Sequence, residues 1–212
     1  MISSSRQLKD KVRNISDGNS NKASTLIRNF MMERFLERVS ISSYRDNFIL
    51  KGVMLEATLD RMRQPIKIDI SADDVITPKA VEYDYKLMFE DRTISVLTYN
   101  KETLLAEKMQ TIINRGIANT RLRDFYDVYS IMNFYGEQIE KQVLYDAFSA
   151  TCEKRKTIFS KDDIEATLHL ISDDLHMAEL WGQFQKSNFY VGDLEWKNVI
   201  DYVENTMKKY LL

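Results

Sequence analysis

Lys108, Arg123, Asp124 and Asp127 are the residues of this chain whose types and spacing best suit chemistry on a phosphate. Asp124 and Asp127 are three apart in a helical stretch, so they share a face, and Arg123 begins the same turn. Lys108 sits on the preceding helical stretch, joined to theirs by a turn around Gly116. Such a hairpin brings an ammonium and two carboxylates to one spot. There Lys108 can hold a nucleotide phosphate while the carboxylates orient it or bind a base or sugar. The same set would also serve as a structural salt-bridge cluster between packed helices, and spacing alone leaves both readings open.

Asp69 is the second point of interest. Ile66-Lys67-Ile68-Asp69-Ile70-Ser71 alternates strictly, placing the isoleucines on one face and the polar side chains on the other. Transfer of a phosphoryl group develops charge that divalent metals neutralise. Carboxylates on adjacent strands hold such metals, and Asp69 has the setting for one of them. One carboxylate does not make a metal site, and an ordinary exposed aspartate is the alternative. Cys152 is alone, which rules out an intrachain disulfide and a cysteine-based metal site. His169 and His176, seven apart in a helical stretch, read as structural or surface residues rather than ligands.

The elements that must position these residues follow from periodicity. Six glycines and two prolines in 212 residues punctuate the chain rarely, so long helices should dominate. A short helix is expected over Gln7 to Ile15. A longer one is expected over 22–38, with Leu26, Ile27, Phe30, Met31, Phe35 and Leu36 at helical spacing and Ser20 or Asn21 as its cap. Phe48-Ile49-Leu50 is an apolar run stopped by Gly52. Pro65 and Pro78 bracket the alternating strand, and Tyr83 to Met88 and Thr93 to Leu97 read as further strands. A small sheet of two to four strands is therefore expected between about 48 and 98. From Asn100 onward the pattern is helical. Asn100 with Thr103 caps a helix that Gly116 closes. Further helices cover about 120–135, 137–152, a stretch opened by Ser160-Lys161-Asp162-Asp163, 175–186 and 194–211. Trp181, Phe184, Trp196 and Tyr202 read as packing residues of the last two. These boundaries give a helical segment at 1–46, an α/β region at 47–99 and a helical bundle at 100–212.

Composition excludes little else. The charge is −2, from 30 basic and 32 acidic residues. That argues against bulk electrostatic binding of nucleic acid but leaves room for a local patch. The basic clusters are Lys9-Lys11-Arg13, Arg61-Arg63-Lys67, Arg115-Arg121-Arg123 and Lys154-Arg155-Lys156, each alone reading as a solvated face. No apolar run approaches the roughly 20 residues of a membrane span, and the first residues lack the apolar core of a secretory signal. No membrane association and a cytoplasmic location are the expectations.

Taken in order, four segments resemble the AbiEii/AbiGii nucleotidyltransferase toxin family of type IV toxin–antitoxin and phage-defence systems. They are the helix Leu26 to Arg38, the phrase Phe48 to Gly52, the strand Ile66 to Ile70 with Val75 to Pro78, and the stretch Leu104 to Tyr129. The resemblance implies a reduced nucleotidyltransferase-like sheet with an N-terminal helical segment and a C-terminal helical bundle, an α+β fold. It implies that Lys51 and Gly52 open a nucleotide-binding turn and that Asp69 completes a metal triad. Lys108, Arg123, Asp124 and Asp127 match motifs for nucleotide binding and transfer. It further implies transfer of a nucleotide from an NTP to RNA, with tRNA as acceptor among relatives, Mg²⁺ as cofactor and an antitoxin as partner.

Two departures stand out. Val53 follows Lys51-Gly52 where the family has a small residue. Gly52 and Asp69 are 17 residues apart with no Asp-x-Asp between them, as if the middle of the nucleotidyltransferase region were missing. The implied chain is a degenerate or weakly active transferase. The alternative is a non-catalytic module that binds the antitoxin or another copy of itself through the retained helical hairpin. A shortened sheet would expose an edge for a homodimer to cover.

Overall fold

The structure, a computed structural model, describes residues 2–45, 50–70 and 75–212, with the backbone alone for 50–56 and 66–70. Asn47, Phe48, Ile49 and Ser71 of the expected motifs lie outside the described residues. The fold is α+β: two small antiparallel hairpins and a large helical bundle, in two compact units. Residues 1–73 and 80–99 form the first unit; 74–79 and 100–212 form the second.

The first unit holds α1 (Ser5–Ser16), α2 (Ser20–Ser40), β1 (Leu50–Leu59), β2 (Met62–Ile70), β3 (Val81–Lys86) and β4 (Thr93–Thr98). Ser4 caps α1 by accepting from the Gln7 N–H. Asp17 and Gly18, at φ 47 and 77, reverse the chain before α2. The helix then starts at Ser20, and Asn19, rather than Ser20 or Asn21, caps it by accepting from Lys22 N. Leu8, Val12, Phe30 and Met31 form a core that Ala57, Leu59, Met62 and Phe89 help to cover. Leu36, Leu87, Ile94 and Val96 make a second small cluster.

The strands pair two by two, β1 with β2 and β3 with β4, rather than in one sheet. Every strand is then an edge strand, which explains two differences from expectation. Pro65 does not bound β2 but lies inside it, opposite Glu56; an edge strand tolerates the missing N–H. Gly52 does not stop β1 but takes part in a bulge, where Lys51 and Gly52 both oppose Asp69. The turn Asp60-Arg61 closes the hairpin, with Asp60 at φ 50, a conformation aspartate tolerates better than most residues. Asp60 Oδ2 accepts from Ser5 N at 2.7 Å, tying the turn to α1. The whole stretch from Gly52 to Asp69 is thus one hairpin.

Glu33 joins α2 to the second hairpin. It is 1% exposed and accepts from Met88 N at 2.8 Å and the Tyr85 hydroxyl at 3.1 Å. Burial raises its carboxyl above the ordinary value, against the lowering pull of those two bonds and of Arg34. Burial beside Glu33 also pushes the Tyr85 phenol up to about 12. Around this pair, Arg34 meets Glu37 at 2.9 Å and Glu90 at 3.0 Å, while Arg92 meets Glu90 at 2.8 Å and also Glu37.

The second unit comprises α3 (Lys101–Arg115), α4 (Leu122–Tyr135), α5 (Lys141–Lys154), α6 (Lys161–Asp173), α7 (Leu175–Ser187) and α8 (Trp196–Leu211). Asn100 caps α3 by accepting from Thr103 N at 2.7 Å, as expected. Its Nδ2 also donates to Thr77 O at 2.8 Å and Lys79 O at 3.0 Å. Thr103 Oγ1 accepts from Thr77 N and donates to Thr77 O, both at 3.0 Å. Segment 74–79 is thereby stitched to the start of α3. Gly116 ends α3 at φ 51, a region that disfavours any side chain. Ser160 and Asp163 form a reciprocal capping box on α6. Trp196, Val199, Ile200, Val203, Met207 and Tyr210 recur at helical spacing along α8 and bury against α4, α5, α6 and α7. Trp181 and Trp196 are core residues, with Phe184 and Tyr202 packed against the core. Among the described residues no helix is long and apolar enough to cross a membrane.

Because the Glu33 carboxyl titrates above its ordinary 4.5, its contribution to stability is full below that value and is lost as pH rises through the folded pKa. Glu33→Gln keeps an acceptor oxygen for Met88 and Tyr85 without the charge. Denaturant unfolding of both proteins at about pH 4 and about pH 7 should show the variant gaining on the wild type as pH rises. A difference that does not change with pH would mean Glu33 carries no such burden.

Candidate functional site

The second unit brings together the four residues singled out on its helices. α3 buries Leu105, Ala106, Met109 and Ile112 completely, which turns Lys108 toward the first turn of α4. Leu122, Phe125 and Val128 anchor α4 in the same core, so Asp124 and Asp127 face back toward α3. Lys108 Nζ lies 2.7 Å from Asp124 Oδ1 and 2.8 Å from Asp127 Oδ2. Arg123 Nε stands 3.8 Å from Asp127 Oδ2 on a largely exposed side chain. Two ammonium or guanidinium charges therefore answer two carboxylates.

The electrostatics of Lys108 are a contest between burial and pairing. Burial lowers its pKa, but Asp127 and Asp124 outweigh that and hold it above the ordinary value. The ammonium stays charged through neutral pH. Asp124 is only 7% exposed, and its Oδ2 is buried with no hydrogen-bond partner among the described residues. Its place in the first turn of α4 also lets the helix dipole favour its negative charge. The arrangement holds an ammonium between two carboxylates on the facing sides of α3 and α4, with Arg123 at its exposed rim.

An aromatic wall that the sequence reading missed flanks the cluster. Tyr126 donates its hydroxyl to Tyr190 O at 3.2 Å, and the two rings lie 5.3 Å apart. Burial raises the Tyr190 phenol, Arg123 pulls it down, and Asp127 and Tyr126 push it up, so the ring stands beside the charged set. Phe189 and Tyr190 are each more than a third exposed. Two exposed aromatics in the break between α7 and α8, just before Gly192, were the available signal.

The other predicted residues lie in the first unit. Lys51 and Gly52 sit in β1 directly across from Asp69 in β2, so the hairpin brings these three positions together. Their side chains lie outside the description. Among the described residues no group of three His, Cys, Asp or Glu side chains could hold a metal ion. At the helical cluster the carboxylates already hold Lys108 between them, and that donor set does not suit a divalent cation. His169 and His176 are exposed, His169 lying 3.2 Å from Asp173 and His176 3.5 Å from Glu179. Burial raises the Cys152 thiol, against Thr157 and Arg155, which disfavours a thiolate nucleophile.

The chain belongs to the family described as nucleotidyl transferase AbiEii toxin of type IV toxin–antitoxin systems, whose model matches residues 53–204. That span takes in Asp69, Lys108, Arg123, Asp124 and Asp127 and begins just after Gly52. No curated protein and no solved structure matches the chain.

A cluster this buried should be coupled energetically. Lys108→Met and Asp124→Asn should each destabilise the fold by about 2 kcal/mol, because each strands a partly buried charge. In a double-mutant cycle followed by urea unfolding, the coupling between them should exceed about 1 kcal/mol. Additive effects would show that the two side chains do not depend on one another.

Proposed function

We propose that this chain is a degenerate, weakly active nucleotidyltransferase-like toxin, whose ancestral activity is transfer of a nucleotide from an NTP to RNA, with tRNA the acceptor. Membership of the AbiEii family supports the reaction class. The single observation that carries the site is Lys108, half-buried and charged between Asp124 and Asp127. In this reading an acceptor hydroxyl oxygen bonds the α-phosphorus and the bond to the departing pyrophosphate breaks. Lys108 holds the phosphates, and Arg123 stands at the rim as a second cation for them. Asp124 or Asp127 orients the nucleotide or the acceptor. Lys51 and Gly52 form the nucleotide-binding turn. Mg²⁺ carried on the nucleotide's phosphates would neutralise developing charge there, with Asp69 as its protein ligand; one carboxylate plus substrate phosphates is a common way for this ion to bind. A cognate antitoxin is the expected partner, and the open strand edges suit a second copy.

Two observations favour a second reading, a non-catalytic module that binds an antitoxin or itself. Two of the three N–H donors of Lys108 already go to carboxylates, and the hairpin runs from Gly52 to Asp69 with no Asp-x-Asp between.

The discriminating experiment is transfer from each of the four labelled NTPs to total tRNA with Mg²⁺. Incorporation should be weak in the wild type and fall at least about tenfold in Lys108→Ala and in Asp69→Ala, the loss of one transition-state contact. Transfer that survives Asp69→Ala would remove Asp69 as metal ligand. No transfer by well-folded protein would favour the binding module.

A further inference from the structure

Two basic clusters that are far apart in the sequence meet in one cleft of the second unit. Arg115 at the end of α3, Arg121 before α4 and Arg155 after α5 open onto a space of about 290 Å³. Gln110, Thr111, Asn114 and Thr157 complete its lining, and none of the seven is acidic.

The floor of this cleft is built. Gln110 is 2% exposed; its Oε1 accepts from Arg155, and its Nε2 donates to Thr157 Oγ1 at 3.1 Å. Arg155 donates also to Thr111 Oγ1 at 3.0 Å. Lys156, at φ 53, reverses the chain after α5, so that Arg155 and Thr157 both reach α3. Among the described residues, Glu107, 3.7 Å from Arg155, is the carboxylate that answers a cleft arginine. Among the described residues, Arg115 and Arg121 have no acidic or hydrogen-bonding partner for their guanidinium groups. Three like charges around one small opening repel one another, and a bound anion would relieve that repulsion.

We propose that this cleft binds a phosphate group, through the guanidinium forks of Arg115, Arg121 and Arg155 and the hydroxyl and amide groups between them. Guanidinium forks match phosphate oxygens in pairs. The volume lies at the lower limit for ligand pockets, so it takes a phosphate rather than a whole nucleotide. The phosphate comes either from a nucleic-acid strand or from a free nucleotide. Thr111 and Arg115 follow Lys108 by three and seven residues on α3, and Arg121 precedes Asp124 by one turn. The cleft therefore extends from about 3 Å to about 10 Å along α3 beyond Lys108. It stands on its own geometry and does not need transfer activity.

The test compares the wild type, Arg115→Ala/Arg121→Ala, Arg121→Glu and Lys108→Ala, each confirmed by circular dichroism to be folded at the assay temperature. Arg115 and Arg121 are exposed and have no partner among the described residues, so their variants should fold. A short fluorescein-labelled RNA is titrated by anisotropy across KCl concentrations, and ATP by calorimetry. For a strand phosphate, the double variant should lose on the order of tenfold in RNA affinity. Its log–log salt slope should fall by about 1 to 2, with ATP binding unchanged. For a nucleotide phosphate, ATP affinity should fall and RNA affinity stay. Arg121→Glu should move the same probe further, and Lys108→Ala should leave cleft binding in place. Wild type that binds neither probe, or variants that bind both as tightly as wild type, would overturn the proposal. Loss of transfer in Lys108→Ala with this binding intact separates the cleft from the transfer site.

Discussion

α3 is hemmed in closely, and where its polar side chains meet α4 and the end of α5, Lys108, Glu107 and Gln110 are each answered by a neighbour. Leu105, Ala106, Met109 and Ile112 have no exposure at all, and α3 packs on both α4 and α5. A partly buried charge without a partner costs several kcal/mol. Three polar residues of α3 find such partners: Lys108 in the aspartates of α4, Glu107 and Gln110 in Arg155 after α5. The positions of α4 and α5 around α3 follow from these pairings as much as from the apolar contacts. The site and the scaffold are the same set of bonds, so chemistry at Lys108 would be done by a group that the fold already needs.

That double duty limits what the cluster can do. An ammonium held by two carboxylates binds a phosphate only by loosening its grip on one of them. The buried Asp124 Oδ2, free of any partner among the described residues, is the part of the set not spent on Lys108. In the first unit the same economy appears with the sign reversed. Glu33 is a buried acid surrounded by donors, and the arginine–glutamate network lies around it.

Much of the helical unit was legible in the sequence because its signals are local. Asn100, Gly116 and the Ser160–Asp163 box mark helix ends through bonds within four residues, and the spacing of Leu105, Met109 and Ile112 states the buried face. The Lys108–Asp124–Asp127 set was legible as three residues on facing helices, since i, i+3 spacing fixes a common face. The strands were harder. Pro65 and Gly52 read as boundaries because each disfavours a strand interior, yet in a two-stranded sheet both are tolerated. Asn19 lost its place as a cap to Ser20 and Asn21 because only the left-handed turn at Asp17 and Gly18 shows where the helix begins. The arginine cleft lay beyond sequence reading: Arg115 and Arg155 are forty residues apart, and each cluster alone resembles a solvated face. Tyr190 reaches Asp127 from a helix break more than sixty residues downstream.

The stitching of Thr77 and Lys79 to Asn100 and Thr103 has a consequence for how the chain can be divided. The backbone leaves the first unit after Asp73, serves the second through Lys79, returns at Ala80 and leaves again after Tyr99. Neither unit is one continuous piece of polypeptide. A fragment beginning at Asn100 would carry α3 with two donors on Asn100 and a threonine hydroxyl stripped of their partners, at the helix on which α4, α5 and α6 pack. A fragment ending at Tyr99 would drag along a loop shaped for a bundle it no longer has. The division into units therefore cuts across the sequence, and an insertion or a protease cut near Pro78 would fall in a segment of the second unit that the first unit's sequence encloses.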